Sequence, residues 1–240
     1  MKITNIEAFT VRIPREQSTK ETSAGHLYAI PDGRHAFKSN MHETLVVRLT
    51  TDEGLVGYGE GQSPVSPETP KIIIESLCQS VLINADPFDS EVLWQRLFEA
   101  MRERGHSSGF YLDALAALDI ALWDLKGKAT NKPVHKLLGG QYRDRIPLYV
   151  GCAGRDSIAA ADRAESLVAA GYRGLKLSPA RDRRQTLAIV AAVRDRVGPD
   201  IAVMVDLHTE FDVAEAIRLG HALEDLDVYW LEAPTVPNDL

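Results

Sequence analysis

The chain has 240 residues, enough for one large domain or two small ones, and its 45% hydrophobic and 25% charged residues are those of an ordinary globular protein. A formal charge of −7 argues against a general nucleic-acid or anionic-membrane binder, since either needs a basic face. Two cysteines, Cys78 and Cys152, make neither a disulfide framework nor a zinc pattern, no apolar stretch approaches a membrane span, and the N-terminus lacks a signal-peptide core, so a reducing cytoplasm is expected.

Residues 1 to 14 alternate apolar and polar (Ile3, Ile6, Ala8, Phe9, Val11, Ile13) and stop at Pro14, the pattern of a half-buried strand. From Arg15 to Ser39 there is no periodicity, and Gly25, Pro31 and Gly33 punctuate a long loop of the kind that usually serves function. The runs ETLVVRLTT and LVGYGEG flank Asp52-Glu53-Gly54 and predict a β-hairpin. Ser66-Pro67-Glu68 then offers an N-cap, a first-turn proline and an acidic first turn for a helix. The apolar stripe of that helix reads Ile72, Ile73, Leu77, Val81 and Leu82. Asp89 or Ser90 opens a second helix carrying Val92, Leu93, Leu97 and Phe98. A third, about Phe110 to Gly127, is apolar over most of its circumference, which predicts burial at a domain junction. Strands followed by helices define residues 1–140 as an α+β domain.

After Gly139-Gly140 the pattern changes. IPLYVGC, GLKLS, IAVMVDL and VYWLE read as buried strands, separated by helices over Ser157 to Ala170, Arg183 to Val197 and Asp212 to Leu223. Strands and helices alternating with a repeat of about 27 residues imply a parallel sheet with right-handed crossovers. A Rossmann sheet would place Gly-x-Gly-x-x-Gly after the first strand, and none is there. Residues 141–240 are therefore expected to be the first four strands of a (β/α) barrel of the TIM type.

Polar residues gather at the carboxyl ends of these strands, where such barrels place their chemistry. Lys176 and Ser178 share a face of the second strand, Asp206 and His208 a face of the third, and Glu232 ends the fourth. Two hard carboxylates converging on one crevice suit a divalent cation such as Mg²⁺. A lysine there can act as an electrophile, or as a base if its pKa is lowered, and a histidine can move a proton. Each residue also has a structural reading. Asp206 can be only the N-cap of the next helix, Lys176 an ion-pair partner, and His208 a satisfied polar group. Ser178 can be a turn residue, and Cys152 a small buried filler rather than part of a pocket wall beside Gly154.

The stretch ALAALDIALWDLKGKATNKPVHKLLGG (Ala114 to Gly140) resembles the signature linking cap and barrel in the mandelate racemase/muconate lactonizing branch of the enolase superfamily. VMVDLH and WLEAP resemble that family's metal-ligand segment, and the GYGEG hairpin is similar to its capping domain. The resemblance implies an α+β cap on a (β/α)7β barrel and Mg²⁺-assisted removal of a proton from the carbon next to a carboxylate, through an enediolate. It makes Asp206 and Glu232 metal ligands and Lys176 the first lysine of the family's Lys-x-Lys pair. Ser178 replaces the second lysine, and the ligand strand reads Asp-Leu-His, similar to sugar-acid dehydratases of the mannonate and galactonate type. Ala233 replaces an acidic residue in the Leu-Glu-x-Pro segment. The implied activity is loss of water from a sugar acid, with Lys176 and His208 catalytic and Ser178 a substrate contact. The long loop, with His26, Arg34 and His35, resembles the family's capping loop for substrate choice, making His26 a second substrate contact. Racemases, epimerases and cycloisomerases of the family share the enediolate step. The chain ends eight residues after Glu232, so a third metal ligand and a second base are expected beyond Leu240. A fragment that is inactive until another chain completes it is the alternative of a different class. A small-molecule partner and a homo-oligomeric full-length form are expected, with no nucleic acid and no membrane.

Overall fold

The computed structural model describes residues 1–15, 27–30, 36–154, 156–179 and 182–236. The chain divides into two compact units, Met1–Tyr142 and Arg143–Leu240. In chain order the first carries β1 (Ile3–Pro14), the short pair β2 (Tyr28–Ala29) and β3 (Lys38–Ser39), then β4 (Met41–Thr51) and β5 (Val56–Gly61). Helices follow: α1 (Glu68–Ile73), α2 (Gln79–Leu82), α3 (Ser90–Arg102), α4 (Phe110–Thr130) and α5 (Val134–Leu137). β1, β4 and β5 form an antiparallel sheet in that order.

Alternation along β4 buries Leu45, Val47 and Leu49 on one face. That face packs on α4, whose Leu115, Leu118, Leu122 and Leu125 share the same core. The GYGEG segment explains how closely they approach. A Cβ added at Gly57 would sit 2.4 Å from the Ala121 carbonyl oxygen, and one at Gly59 only 1.9 Å from that of Ala117. Glycine on alternate positions therefore lets β5 rest directly on the α4 backbone. Within this unit α4 packs against the sheet on one side and α1 and α3 on the other, while Phe110 and Ile120 stay exposed.

Two local expectations are corrected here. Ser66 has φ of 54° and pairs its hydroxyl with Thr69 Oγ1, while its N–H donates to the Tyr28 hydroxyl. Its side chain therefore caps no backbone N–H, and Pro67 precedes the first turn without a side-chain cap. The helical stripe is also displaced. A π-helical turn over Ile74–Cys78 inserts one residue between α1 and α2, so the buried positions are Ile74, Cys78 and Leu82. Ile72 and Leu77 are turned outward instead.

The second unit holds β6 (Val150–Cys152), α6 (Ser157–Ala169), β7 (Gly174–Leu177), α7 (Arg183–Val197), β8 (Ala202–Asp206), α8 (Val213–Glu224) and β9 (Val228–Glu232). The four strands are parallel and neighbour one another in sequence order. Leu175, Leu177, Val203 and Val205 pack with Ile189, Val190 and Leu219 in its core. Each helix opens on an aspartate that accepts a backbone N–H: Asp156 from Ala159, Asp182 from Gln185 and Asp212 from Glu215. At the opposite end Arg194 donates to the carbonyls of Gly198, Ile201, Leu226 and Asp227, which ties the starts of β8 and β9 to α7.

The first strand is shorter than its apolar run suggested. Val150 is registered with Leu175, so Ile146 would lie opposite the turn at Gly171, where β7 has not begun. Ile146 and Leu148 are accordingly unpaired and exposed. Among the described residues no helix is long and apolar enough to cross a membrane.

Gly59→Ala is expected to destabilise the protein by about 3 kcal/mol, because its methyl meets the α4 backbone at Ala117 and Ala121. Gly54→Ala, where φ is +80° but nothing lies within 4 Å, should cost only about 1 kcal/mol. Urea unfolding of both variants checks this, and equal losses would contradict the close contact.

Candidate active site

Strand register sets the site. Lys176 lies opposite Met204, Met204 opposite Trp230, and Asp206 opposite Glu232. Side chains alternate along each strand, so Lys176, Met204, Asp206, Trp230 and Glu232 share the face turned away from the core residues on either side of them. There the Lys176 ammonium sits between two carboxylates, 3.0 Å from Asp206 Oδ2 and 3.1 Å from Glu232 Oε1.

Each carboxylate is held by its other oxygen. Asp206 is almost fully buried, and its Oδ1 accepts the backbone N–H of His208 at 3.0 Å. The same oxygen lies 3.0 Å from His208 Nδ1. Glu232 Oε2 accepts the indole N–H of Trp230 at 3.3 Å. Trp230 packs edge-on against Tyr149, and Lys176 Nζ is 5.9 Å from the Tyr149 ring centre.

The loops beyond the strands stay paired. Leu207 N donates to the Glu232 carbonyl, Thr209 N to that of Ala233 and Phe211 N to that of Pro234. This ladder holds His208, Thr209 and Ala233 at φ of 49°, 62° and 42°. Non-glycine residues in that region cost about 1 to 3 kcal/mol each and concentrate at functional sites.

Lysine 176 is shifted toward its charged form. The hydrogen bond to Asp206 raises its pKa most, that to Glu232 adds to it, and partial burial opposes both. Its two carboxylate partners thus favour the ammonium form of Lys176 in the metal-free site.

The competing structural readings divide. Asp206 is not the cap of the following helix, because Asp212 performs that task. Lys176 is an ion-pair partner, but with both site carboxylates. His208 is partly exposed and faces Asp206 through one nitrogen. Ser178 lies just past the end of β7 and is exposed. Cys152 is buried, its thiol facing the Ala160 carbonyl, and burial pushes its pKa up. It packs, as does Gly154, where a Cβ would lie 2.4 Å from Ala160. His26, Arg34 and His35 lie outside the described residues. Trp230 and Tyr149 were not singled out from the sequence. Trp230 could have been, since it precedes Glu232 by two residues on one strand face.

The donor chemistry fits Mg²⁺. Asp206 Oδ2 and Glu232 Oε1 are hard oxygens directed at one shared cation position, and Mg²⁺ is commonly held by one or two carboxylates while keeping several waters. Among the described residues no cluster of three or more His, Cys, Asp or Glu side chains assembles a fuller cage. A separate cavity of about 390 Å³ opens between the starts of α7 and α8, lined by Asp182, Arg183, Arg184, Glu210, Phe211, Asp212 and Glu215. None of Lys176, Asp206, His208 and Glu232 lines it.

Known proteins agree with this architecture. Residues 31–139 match the mandelate racemase/muconate lactonizing enzyme N-terminal domain, and residues 159–240 match the enolase C-terminal domain-like family. The chain belongs to the mandelate racemase/muconate lactonizing enzyme branch of the enolase superfamily. It is similar to a D-galactarolactone cycloisomerase of Agrobacterium fabrum, with 34% identity over 82% of this chain and 52% of that protein. An L-rhamnonate dehydratase of Saccharopolyspora erythraea is likewise 34% identical, over 86% of this chain and 51% of its own length. The chain thus spans about half the length of these relatives. A solved enolase-superfamily member from Agrobacterium tumefaciens superimposes with a TM-score of 0.90 at 30% identity, covering 99% of this chain and 63% of that one. A solved racemase from Streptomyces coelicolor, with bound magnesium, does so at 0.82 and 27% identity, over 99% and 64%.

The raised pKa of Lys176 fixes the sign of a pH effect. Its ion pairs stabilise the fold in full below the ordinary lysine value of 10.5, and that contribution is lost as pH rises through the higher folded value. The urea midpoint of metal-free protein should therefore fall at alkaline pH, and fall less steeply in Lys176→Met. Equal slopes in the two proteins would show that the ion pairs contribute nothing.

Proposed function

We propose that the protein acts as a Mg²⁺-dependent carbon–oxygen lyase, removing water from a sugar acid after proton loss from the carbon α to its carboxylate. The observation that carries this reading is His208, whose backbone N–H donates to Asp206 and whose Nδ1 lies 3.0 Å from the same carboxylate, the one that faces the cation position.

Asp206 and Glu232 would hold the ion. When bound, it supplies Lewis-acid charge at the substrate carboxylate, which makes the α-proton more acidic. The chain's own groups do the remainder. The Lys176 ammonium, which stands between the two carboxylates in the metal-free site and would be displaced by the ion, would offer a second positive charge for the oxygen on which the enediolate's charge accumulates. With Nδ1 turned toward Asp206, the Nε2 of a protonated His208 would give its proton to the departing hydroxyl. The α-proton passes to His208 or to a group outside the described residues. Ser178, exposed at the same strand end as Lys176, is proposed as a substrate contact, as is His26.

Cycloisomerisation is the second reading, favoured by the 34% identity to a cycloisomerase. It begins with the same proton loss but returns an isomer instead of losing water. Racemisation also shares that step; Ser178 in place of a second lysine speaks against it.

A screen of sugar acids and sugar lactones with Mg²⁺ separates these outcomes by product. The expected result is a 2-keto-3-deoxy acid, with turnover lowered about 100-fold or more in His208→Asn while substrate still binds. Isotope exchange from D₂O at the α-carbon without loss of water would contradict dehydration. An isomer of unchanged mass but altered ring connectivity would establish the second reading.

A further inference from the structure

We infer that Trp230 is a positioning residue for Glu232, and that Trp230 and Tyr149 form an aromatic floor that selects which Glu232 oxygen meets the cation. This rests on the metal reading of the site given above.

Trp230 and Glu232 are two residues apart on β9 and share a face. The indole N–H engages Glu232 Oε2 at 3.3 Å, which leaves Oε1 as the oxygen directed at Lys176 Nζ, 3.1 Å away. An indole nitrogen only donates, so it cannot serve a cation; its single role toward this carboxylate is to hold one oxygen. His208 does the same for Asp206, engaging Oδ1 and leaving Oδ2 for the cation. The two carboxylates are thus presented symmetrically, one oxygen each.

The floor depends on a glycine. A Cβ at Gly174 would lie 2.9 Å from Tyr149 Cβ and 3.2 Å from Met204 Cε, so a larger residue would displace both. With that space open, Tyr149 packs against Trp230 with ring centres 5.3 Å apart and planes at 79°. An edge-to-face pair of this kind fixes the indole plane, and with it the direction of its N–H. The Tyr149 ring also lies 5.9 Å from the Lys176 ammonium, within reach of a cation–π attraction. One aromatic pair therefore steadies both the Glu232 carboxylate and the ammonium between the carboxylates.

Partners that orient a metal ligand typically change affinity about 10- to 100-fold when removed. Trp230→Phe retains a ring for Tyr149 and deletes only the indole N–H. Its Mn²⁺ affinity, measured by electron paramagnetic resonance, should weaken about tenfold with the thermal unfolding curve unchanged. A second measurement does not depend on that variant folding. The three indole N–H resonances belong to Trp94, Trp123 and Trp230, and the first two lie in the other unit. In Glu232→Ala the Trp230 resonance should move upfield while the other two stay in place. A Trp230 resonance unmoved by Glu232→Ala, or a folded Trp230→Phe that binds Mn²⁺ within about twofold of the parent, would overturn the role of Trp230. A parent protein that binds no Mn²⁺ would instead overturn the metal reading, and the role inferred here with it.

Discussion

Two carboxylates that face one cation through a single oxygen each are the constraint on which the rest of the second unit depends. Bringing Asp206 Oδ2 and Glu232 Oε1 within about 3 Å of the same ammonium places two negative charges side by side, one of them nearly buried. Such an arrangement is tolerable only if a cation occupies the middle and the outer oxygens are hydrogen-bonded. Both conditions are met, by Lys176 between them and by His208 and Trp230 outside. A one-residue slip of β8 against β9 would turn one carboxylate into the core, so register here is set by charge as well as by packing.

Much of the surrounding structure serves to hold that register. Leu175, Leu177, Val203 and Val205 bury one face of the sheet under the helices, which leaves the other face for polar groups. Arg194 ties the strand starts together through four carbonyls, and the ladder from Leu207 to Phe211 keeps the strand ends paired past the carboxylates. That ladder also supports the left-handed backbone at His208. The imidazole stays beside Asp206 and partly open to solvent, where a proton donor to a leaving group is useful. Lys176, held charged by its two partners, is suited to stabilising negative charge. Under the proposed dehydration these two groups would supply positive charge for the enediolate and a proton for the departing hydroxyl.

The candidate site residues were legible because strand alternation and chain order are written directly in the sequence. Asp206 and Glu232 end apolar runs at matching positions, and Lys176 and His208 follow from period two on neighbouring strands. The β–α order and the hairpin were equally plain. What could not be read is what depends on three-dimensional detail. The division of labour between the two oxygens of each carboxylate follows from side-chain geometry, not spacing. The left-handed conformation at His208 and Ser66 is uncommon for such residues and comes from loop pairing and turn packing. The π turn moved the buried stripe by one residue, which periodicity cannot foresee, and β6 is short because its partner strand begins late. Trp230 and Tyr149 read in the sequence as ordinary aromatic strand residues, because the space that Gly174 leaves beside Tyr149 and Met204 is not visible there.

The central claim is that Asp206 and Glu232 form one cation site and not two independent acidic positions. Titration of the protein with Mn²⁺, followed by electron paramagnetic resonance, tests it most directly when parent, Asp206→Ala and Glu232→Ala are compared. The account predicts one tightly bound ion per chain in the parent and loss of that ion in either variant. Retention of tight binding after removal of either carboxylate would contradict it.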